Sequence, residues 1–409
     1  MNDAENLSKL LGHLPPAVFR EFMVEEFELT IPDLDKKQTK RDQRAEMETV
    51  LSGLDINHRQ RIEEVAERIV LLSDGAGQDV IEGFRDDIFD PKDQEAFAGI
   101  RNQYERALWL HINAPTLFDE AMNARQADVF RQSASCYSGF IAPKDLSVLE
   151  DEPSRQAFHH AVAEELGCEI DSVAVQVFKR LRPDTQTGEE VDLYQISVHH
   201  NRPPEIIDCV QASELVSQEV VRAVSSHITY EPANGHLEVL SKDTDGREAL
   251  ARIVADSLMQ SPITGEKIPL KQYDYQSLAG PRNFDIAGEA VASVKVIELG
   301  YLGDNHRSLM VKIWTKDADD IHAAARSLIS PQFDFRDHQI NYAKISIRTK
   351  KVGADRARTI SVILRDDNKC NIKTKREKDR ALCDRLLVKW NLVKVIGHVP
   401  EETLDTLAA

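Results

Sequence analysis

The sequence predicts an α+β protein in which an N-terminal helical domain is followed by antiparallel hairpin-plus-helix units. Three observations predict this class. Apolar residues recur at helical spacings of three and four up to about residue 132. Later segments alternate apolar and polar residues, as half-buried strands do. Turn residues separate these alternating segments in pairs, and a helical pattern follows each pair.

Residues 1–132 are predicted to form the helical domain. Ile62, Val65 and Ile69 fall on one helical face, and Asp55 stands where it can cap the first turn of that helix. Pro91 and Pro115 each suit the first position of a helix. We therefore expect one helical stretch over 91–112 and another that begins at Pro115.

Residues 143–260 are predicted to form an α+β meander domain. Asn234 and Gly235 lie between two alternating segments, and this pair favours a tight hairpin turn. Residues 261–285 contain several prolines and show no periodicity, which predicts a linker or a long loop. Residues 286–409 are predicted to be a second α+β domain with two further hairpin-plus-helix units and a basic C-terminal module.

Charge is distributed unevenly along the chain. Residues 336–394, the basic module, hold 17 Lys and Arg against 7 Asp and Glu, a net charge of +10. The whole chain has a net charge of -18. The sequence therefore describes an acidic protein with one basic module, and such a module favours contact with an acidic surface.

Within the basic module, the strand that begins near Ile340 sends alternate apolar residues inward and a basic set outward. The final helix is expected from about Lys375 to Trp390, with the capping-box spacing of Thr374 and Glu377 at its start. This helix is expected to dock by one apolar side and to expose a positive edge. The candidate nucleic-acid-binding residues are Tyr342, Lys344, Arg348, Lys350, Arg365, Lys373, Lys375, Lys378, Arg385 and Lys389.

The first functional hypothesis is a non-enzymatic protein that engages nucleic acid through this module, within a larger assembly or alone. Lys and Arg side chains near phosphates release condensed counterions, and this release favours binding. The alternative is a protein-interaction or scaffold component. In that case the basic module docks on an acidic protein surface, either its own or a partner's.

A second alternative is an enzyme whose active site is assembled from distant residues. Phosphate-binding loops of the G-x-x-x-x-G-K-[ST] type and G-x-S-x-G elbows are absent from the sequence. Asp367 and Lys369 have the D-x-K spacing of a metal-dependent nuclease, and His200 and Glu205 are the other weak candidates for a nuclease or another hydrolase. No catalytic residue, metal ligand or cofactor is assigned.

Compartment and redox state follow from what the sequence lacks. It contains no run of about 18 apolar residues that could span a membrane, and its N-terminus lacks the basic start of a signal peptide. Its five cysteines are scattered without a C-x-x-C pair. We expect a soluble cytoplasmic protein with reduced thiols and no membrane partner.

Overall fold

The computed structural model describes residues 4–34, 38–183, 189–211, 214–264, 267–302, 310–314, 321–351 and 356–396. The chain forms two compact units, one from Met1 to Val129 and one that begins at Phe130. Helices make up the first unit and antiparallel sheets with helices the second, so the predicted α+β class is confirmed. The four predicted domain ranges stay predictions.

The first unit is built from helices. Asp55 accepts hydrogen bonds from the backbone N–H groups of Asn57 and His58, as predicted for an N-cap. The stretch 91–112 is two helices rather than one, because the Asn102 side chain caps a new helix. The helices are α1 (Glu5–His13), α2 (Pro16–Phe27), α3 (Lys40–Ser52), α4 (Ile56–Leu72), α5 (Gly75–Glu82), α6 (Pro91–Gly99), α7 (Gln103–Asn113) and α8 (Pro115–Arg131).

The second unit begins with a five-stranded antiparallel sheet, the first sheet, whose strand order is β1-β7-β6-β3-β2. Two helices, α9 (Glu152–Leu166) and α10 (Gly246–Val254), pack on its apolar face. The strands of this region are β1 (Tyr137–Ile141), β2 (Val173–Pro183), β3 (Glu190–Asn201), β4 (Glu205–Gln211), β5 (Glu214–Val220), β6 (Ala223–Glu231) and β7 (His236–Ser241).

The opposite face of the first sheet is polar, yet it is buried as well. Gln195, Ser197, His227 and Thr229 lie on this face and are at most 1% exposed. Residues on alternate positions of a strand point to opposite faces, so both sets of side chains of these central strands are covered. The polar face therefore contacts other parts of the second unit rather than water.

The predicted hairpin at Asn234 and Gly235 joins β6 to β7. Its loop runs from Pro232 to Gly235, two residues longer than the tightest hairpin turn. Gly235 has φ of 75°, and a Cβ atom there would lie 2.3 Å from the carbonyl oxygen of Ala142. Glycine is required at this position because no side chain fits between the turn and the neighbouring chain.

Strands β4 and β5 form a separate two-stranded ribbon between β3 and β6. Ile206, Val210 and Leu215 on this ribbon are exposed. A hydrogen bond of 2.9 Å from the Arg202 N–H to the Arg222 carbonyl closes its base. The ribbon therefore gains its order from pairing within itself and not from burial in a core.

The second sheet of this unit has the strand order β10-β9-β11-β12-β13 and is also antiparallel. Two more hairpin-plus-helix units build it, as predicted. Its elements are β9 (Val291–Leu302), β10 (Met310–Trp314), α11 (Ile321–Leu328), β11 (Gln339–Thr349), β12 (Thr359–Arg365), β13 (Lys369–Cys370) and α12 (Glu377–Lys389). A small pair of strands, β8 (Lys271–Tyr273) and β14 (Val393–Val395), lies outside both sheets.

Helix α12 is buried on two sides, which corrects the prediction that it docks by one side. Leu382, Leu386 and Leu387 belong to the core of the second sheet. On its other side the buried Glu377 carboxylate pairs with Arg180 of β2, with 3.1 Å between Oε2 and Nη1. The helix is therefore packed between the two sheets, and charged residues form one of its contacts.

The predicted capping box of α12 is also wrong. The residue before the helix is Arg376, which makes no side-chain cap. The Thr374 hydroxyl donates to the carbonyl of Asn371 at 2.7 Å, and Glu377 is used in the ion pair with Arg180. The spacing of Thr374 and Glu377 fits the motif, but both side chains have other partners.

The segment 261–285, predicted to be a linker or long loop, contains strand β8 and a short helical turn from Gln276 to Ala279. Leu270, Tyr275 and Leu278 in this segment are buried. Tyr275 and Leu278 belong to the core of the second sheet. The segment therefore contributes to the folded core although it lacks a regular apolar period.

Candidate nucleic-acid interface

The second sheet has one apolar face and one polar face, as its alternation predicts. Ala343, Ile345 and Ile347 of β11 are fully buried against the helices. Lys344 and Arg348 therefore point to the opposite face, which we call the outer face. The outer face also carries Lys295 of β9 and Thr359 and Arg365 of β12, which are exposed.

An aromatic residue lies on the same face at its edge. Trp314 of β10 pairs with Glu298 of β9, which in turn pairs with Lys344 of β11. Residues directly opposite on neighbouring strands share a face. Trp314 is 67% exposed, so most of its indole ring is open to solvent.

Glu298 organises the polar groups at the centre of the outer face. The Tyr342 hydroxyl donates to its Oε2 at 3.0 Å, and the Lys344 ammonium donates to its Oε1 at 2.9 Å. These two predicted residues are therefore held in place by one carboxylate. Lys344 contributes little free positive charge, because Glu298 offsets it.

Five cations on or beside the outer face lack a carboxylate partner among the described residues. Among the described residues, no carboxylate lies within ion-pair distance of these exposed side chains. Lys350 and Lys351 follow β11, and Arg356 precedes β12, so three of them cluster at one end of the hairpin. The five are Arg348, Lys350, Lys351, Arg356 and Arg365.

The predicted positive edge of α12 is largely neutralised. The Arg385 guanidinium lies 3.4 Å from the Glu289 carboxylate, and the Lys389 ammonium lies 3.2 Å from the Asp285 carboxylate. Lys378 is exposed and Lys375 is half-buried. Arg385 and Lys389 of α12 are thus held by ion pairs to the segment before β9.

Lys373 belongs neither to the outer face nor to the edge of α12. Its ammonium lies 3.3 Å from the centre of the Tyr137 ring, which comes from the first sheet. Burial lowers the pKa of Lys373 to about 8. The ten predicted residues therefore separate into an outer-face set, an α12 set and one residue in the interior.

Sequence reasoning missed Trp314. Its signal was available in the sequence, because Trp314 comes two positions after Lys312 and so has the same alternation parity as a charged residue. A large aromatic residue at a solvent-facing strand position is a feature of nucleic-acid and protein interfaces.

The residues considered for an enzyme do not converge. Asp367 and Lys369 pair with each other at 2.9 Å in the exposed turn after β12. His200 lies at the end of β3 in the other sheet, and Glu205 begins the ribbon. Within the described parts of the chain, no cluster of three or more His, Cys, Asp or Glu residues could hold a metal ion.

Two further findings bear on the class of protein. Searches with protein-family models and against curated proteins gave no match to this chain. In the described ranges no helix has the length and apolar character needed to cross a membrane.

Proposed function

We propose that the protein binds single-stranded nucleic acid on the outer face of its second sheet. The observation that carries the proposal is that the exposed Trp314 lies on the same sheet face as cations that have no acidic partner among the described residues. An aromatic ring can stack on a base of any sequence, and unpaired Arg and Lys side chains can contact the phosphates that follow.

The geometry of the outer face suits an extended strand better than a duplex. Successive outward residues of a β-strand are about 6.6 Å apart, so Tyr342 and Arg348 mark a track of about 20 Å along β11. Arg365 lies opposite Tyr342 and Thr359 lies opposite Arg348 on β12. The face offers cations at both ends of this track and an aromatic ring at its edge.

Charge also favours this face over the rest of the molecule. The whole chain carries a net charge of -18, which repels phosphates over most of its surface. The Glu298 carboxylate on the outer face already accepts hydrogen bonds from Tyr342 and Lys344. A polyanion is therefore steered to the place where cations are uncompensated.

The test is fluorescence anisotropy of a labelled single-stranded oligonucleotide at several salt concentrations. We expect the double reversal Arg348→Glu/Arg365→Glu to reduce the slope of log affinity against log salt by roughly 1.4, since each lost phosphate contact removes about 0.7. Trp314→Ala should cost about 1–3 kcal/mol of binding free energy at fixed salt.

The matched control is Arg252→Glu/Lys267→Glu, which changes the net charge equally at exposed positions outside the second sheet. The proposal fails if wild-type protein does not bind at low salt, or if the control lowers affinity as much as the test pair does.

Binding of polyglutamate tests the alternative that the partner is an acidic protein surface. Binding of polyglutamate as tight as that of the oligonucleotide, with no loss in Trp314→Ala, would favour an acidic protein surface.

A further inference from the structure

A cavity of about 160 Å³ lies between the polar face of the first sheet and the start of α12. Five cations and three carboxylates line it among the described residues. An engineered apolar cavity of about 150 Å³ holds benzene, and one water takes about 30 Å³ of liquid volume. The space is therefore sufficient for a small ligand together with water.

Each carboxylate on the wall lies in an ion pair, although Oε1 of Glu231 and Oδ1 of Asp384 accept no hydrogen bond in the described protein. The Arg131 guanidinium lies 2.8 Å from the Glu238 carboxylate, and the Lys271 ammonium lies 2.8 Å from the Asp384 carboxylate. Arg182 pairs with Glu231. These three pairs together carry no net charge.

The remaining two cations differ from each other. Arg380 lies 3.2 Å from the Glu377 carboxylate, which Arg180 also contacts. Lys373 has no carboxylate within ion-pair distance among the described residues, and its ammonium faces the Tyr137 ring at 3.3 Å. The cavity therefore contains one cation, Lys373, that has no ion pair among the described residues, although the Glu238 carboxylate attracts it from a longer distance.

A donor on the wall is also unused. The Nε–H of the buried Arg182 has no hydrogen-bond acceptor in the described protein, although it lies in the interior. A buried donor without an acceptor costs about 1–3 kcal/mol of stability. A ligand or water that accepts a hydrogen bond in this cavity would remove such a cost.

We propose that this cavity binds a small oxyanion whose charge is neutralised by Lys373. A phosphate or carboxylate oxygen accepts from ammonium and guanidinium donors, and such charge-assisted bonds are the stronger class. The proposal does not depend on nucleic-acid binding, because the outer face and the cavity use different residues. The two proposals can fail separately.

Lys373 is the wall residue that titrates near neutral pH. Burial and the Glu238 carboxylate hold the pKa of Tyr137 well above its usual value, and burial raises that of Cys370 to about 12. Burial lowers the pKa of His236, so this residue stays neutral. Arg131 holds the pKa of Glu238 low against its burial, so this carboxylate keeps its charge.

The pH dependence of anion binding follows from these groups. The pKa of Lys373 is lowered to about 8, so its ammonium is present below that value. The affinity for acetate, which stays a monoanion over this range, should be nearly constant from pH 6 to 7 and should fall toward a tenfold loss per pH unit above pH 8. This pH profile is expected only if Lys373 contacts the bound anion, and not if Lys373 has a purely structural role.

The experiment is calorimetric titration of the full chain with inorganic phosphate, acetate and chloride at constant ionic strength. We expect phosphate or acetate to bind and chloride not to bind. Lys373→Met should weaken that binding by about tenfold to a hundredfold, the range for a charge-assisted contact. Lys375→Met, two residues away and not on the cavity wall, is the matched control and should bind as wild type does.

Several outcomes would overturn the proposal. Wild-type protein that binds neither phosphate nor acetate at millimolar concentrations would show that the cavity holds only water. Equal binding by Lys373→Met would exclude the assigned residue. If that variant does not fold, the wild-type pH profile decides instead, because affinity that stays level from pH 7 to 9.5 contradicts the role of Lys373.

Discussion

The two sheets of the second unit differ in what covers their polar faces. In the first sheet, Gln195, Ser197 and His227 point away from the apolar core and are nevertheless fully buried. In the second sheet, Arg348 and Arg365 occupy the corresponding outward positions and are exposed. The same alternation of residues therefore leads to an internal contact in one sheet and a free surface in the other.

The difference lies in how charge is compensated. Charged residues on the buried face pair with residues from distant segments, such as Arg180 with Glu377, which are 197 positions apart. On the outer face Lys344 pairs with Glu298, whereas Arg348 and Arg365 are exposed and have no ion pair within the described ranges. Buried charges must be paired to be tolerated, whereas exposed charges can remain available for a ligand.

Removing a buried cation should give the largest effect. Arg180→Met leaves Arg380 as the ion-pair partner of Glu377 within the described ranges, and this buried carboxylate then loses its largest compensating charge. We expect a loss of about 3 kcal/mol in the free energy of unfolding of the second unit. Urea unfolding followed by circular dichroism measures it.

The double variant Arg180→Met/Glu377→Gln is the control, because it removes the uncompensated charge as well. It should recover part of the stability lost in the single variant. An Arg180→Met protein as stable as wild type would contradict the view that this pair joins α12 to the first sheet.

Acidification should have the next largest effect, through His227. Burial lowers its pKa to about 3, and Ser197 lies 2.9 Å from its Nδ1. Below about pH 6.5 the His227 imidazole is protonated in the unfolded chain but stays neutral in the folded protein. The free energy of unfolding therefore falls as the pH falls. From pH 6.5 to 5 the loss should be about 2 kcal/mol, at about 1.4 kcal/mol per pH unit.

The measurement compares the unfolding free energy of wild type and His227→Gln at both pH values. Other titrating groups affect the two proteins alike, so the difference isolates His227. Stability of the variant should fall less than that of wild type by about 2 kcal/mol. Parallel losses in the two proteins would mean that His227 is protonated in the folded state.

Charge reversal on the outer face should have the smallest effect on stability. Arg348→Glu/Arg365→Glu removes exposed side chains without ion pairs among the described residues, and such substitutions usually change stability by less than about 0.5 kcal/mol. The same urea unfolding measures it. A loss comparable to that of Arg180→Met would show that the outer face is covered in the folded protein.

Much of the fold could be predicted from local pattern. The helices of the first unit and the three hairpin-plus-helix units follow from apolar spacing, helix caps and turn residues. The burial of α12 could not, because Glu377, Arg380 and Asp384 have the composition of an exposed helix face. Glu377 and Asp384 pair with residues of β2 and β8, and no local rule identifies partners so far apart in sequence.

The candidate interface was predicted in part. Alternation alone places Lys344 and Arg348 outward, and the structure agrees. The same reasoning grouped Lys373 with them, although Lys373 faces the interior. Lys373 lies in a short helical turn between β13 and α12, where the alternation of a strand does not predict the side-chain direction. Net charge over a segment shows that cations are present but not which of them are already paired.

The ribbon formed by β4 and β5 has a consequence for how the sheet tolerates change. Direct pairing of β3 with β6, from Tyr194 opposite Tyr230 to Asn201 opposite Ala223, fixes the register of the first sheet. The hydrogen bond between Arg202 and Arg222 then closes the loop before the ribbon begins. Residues 203–221 can therefore be shortened, extended or locally unfolded at the small cost of changing a closed loop, and the sheet keeps its register.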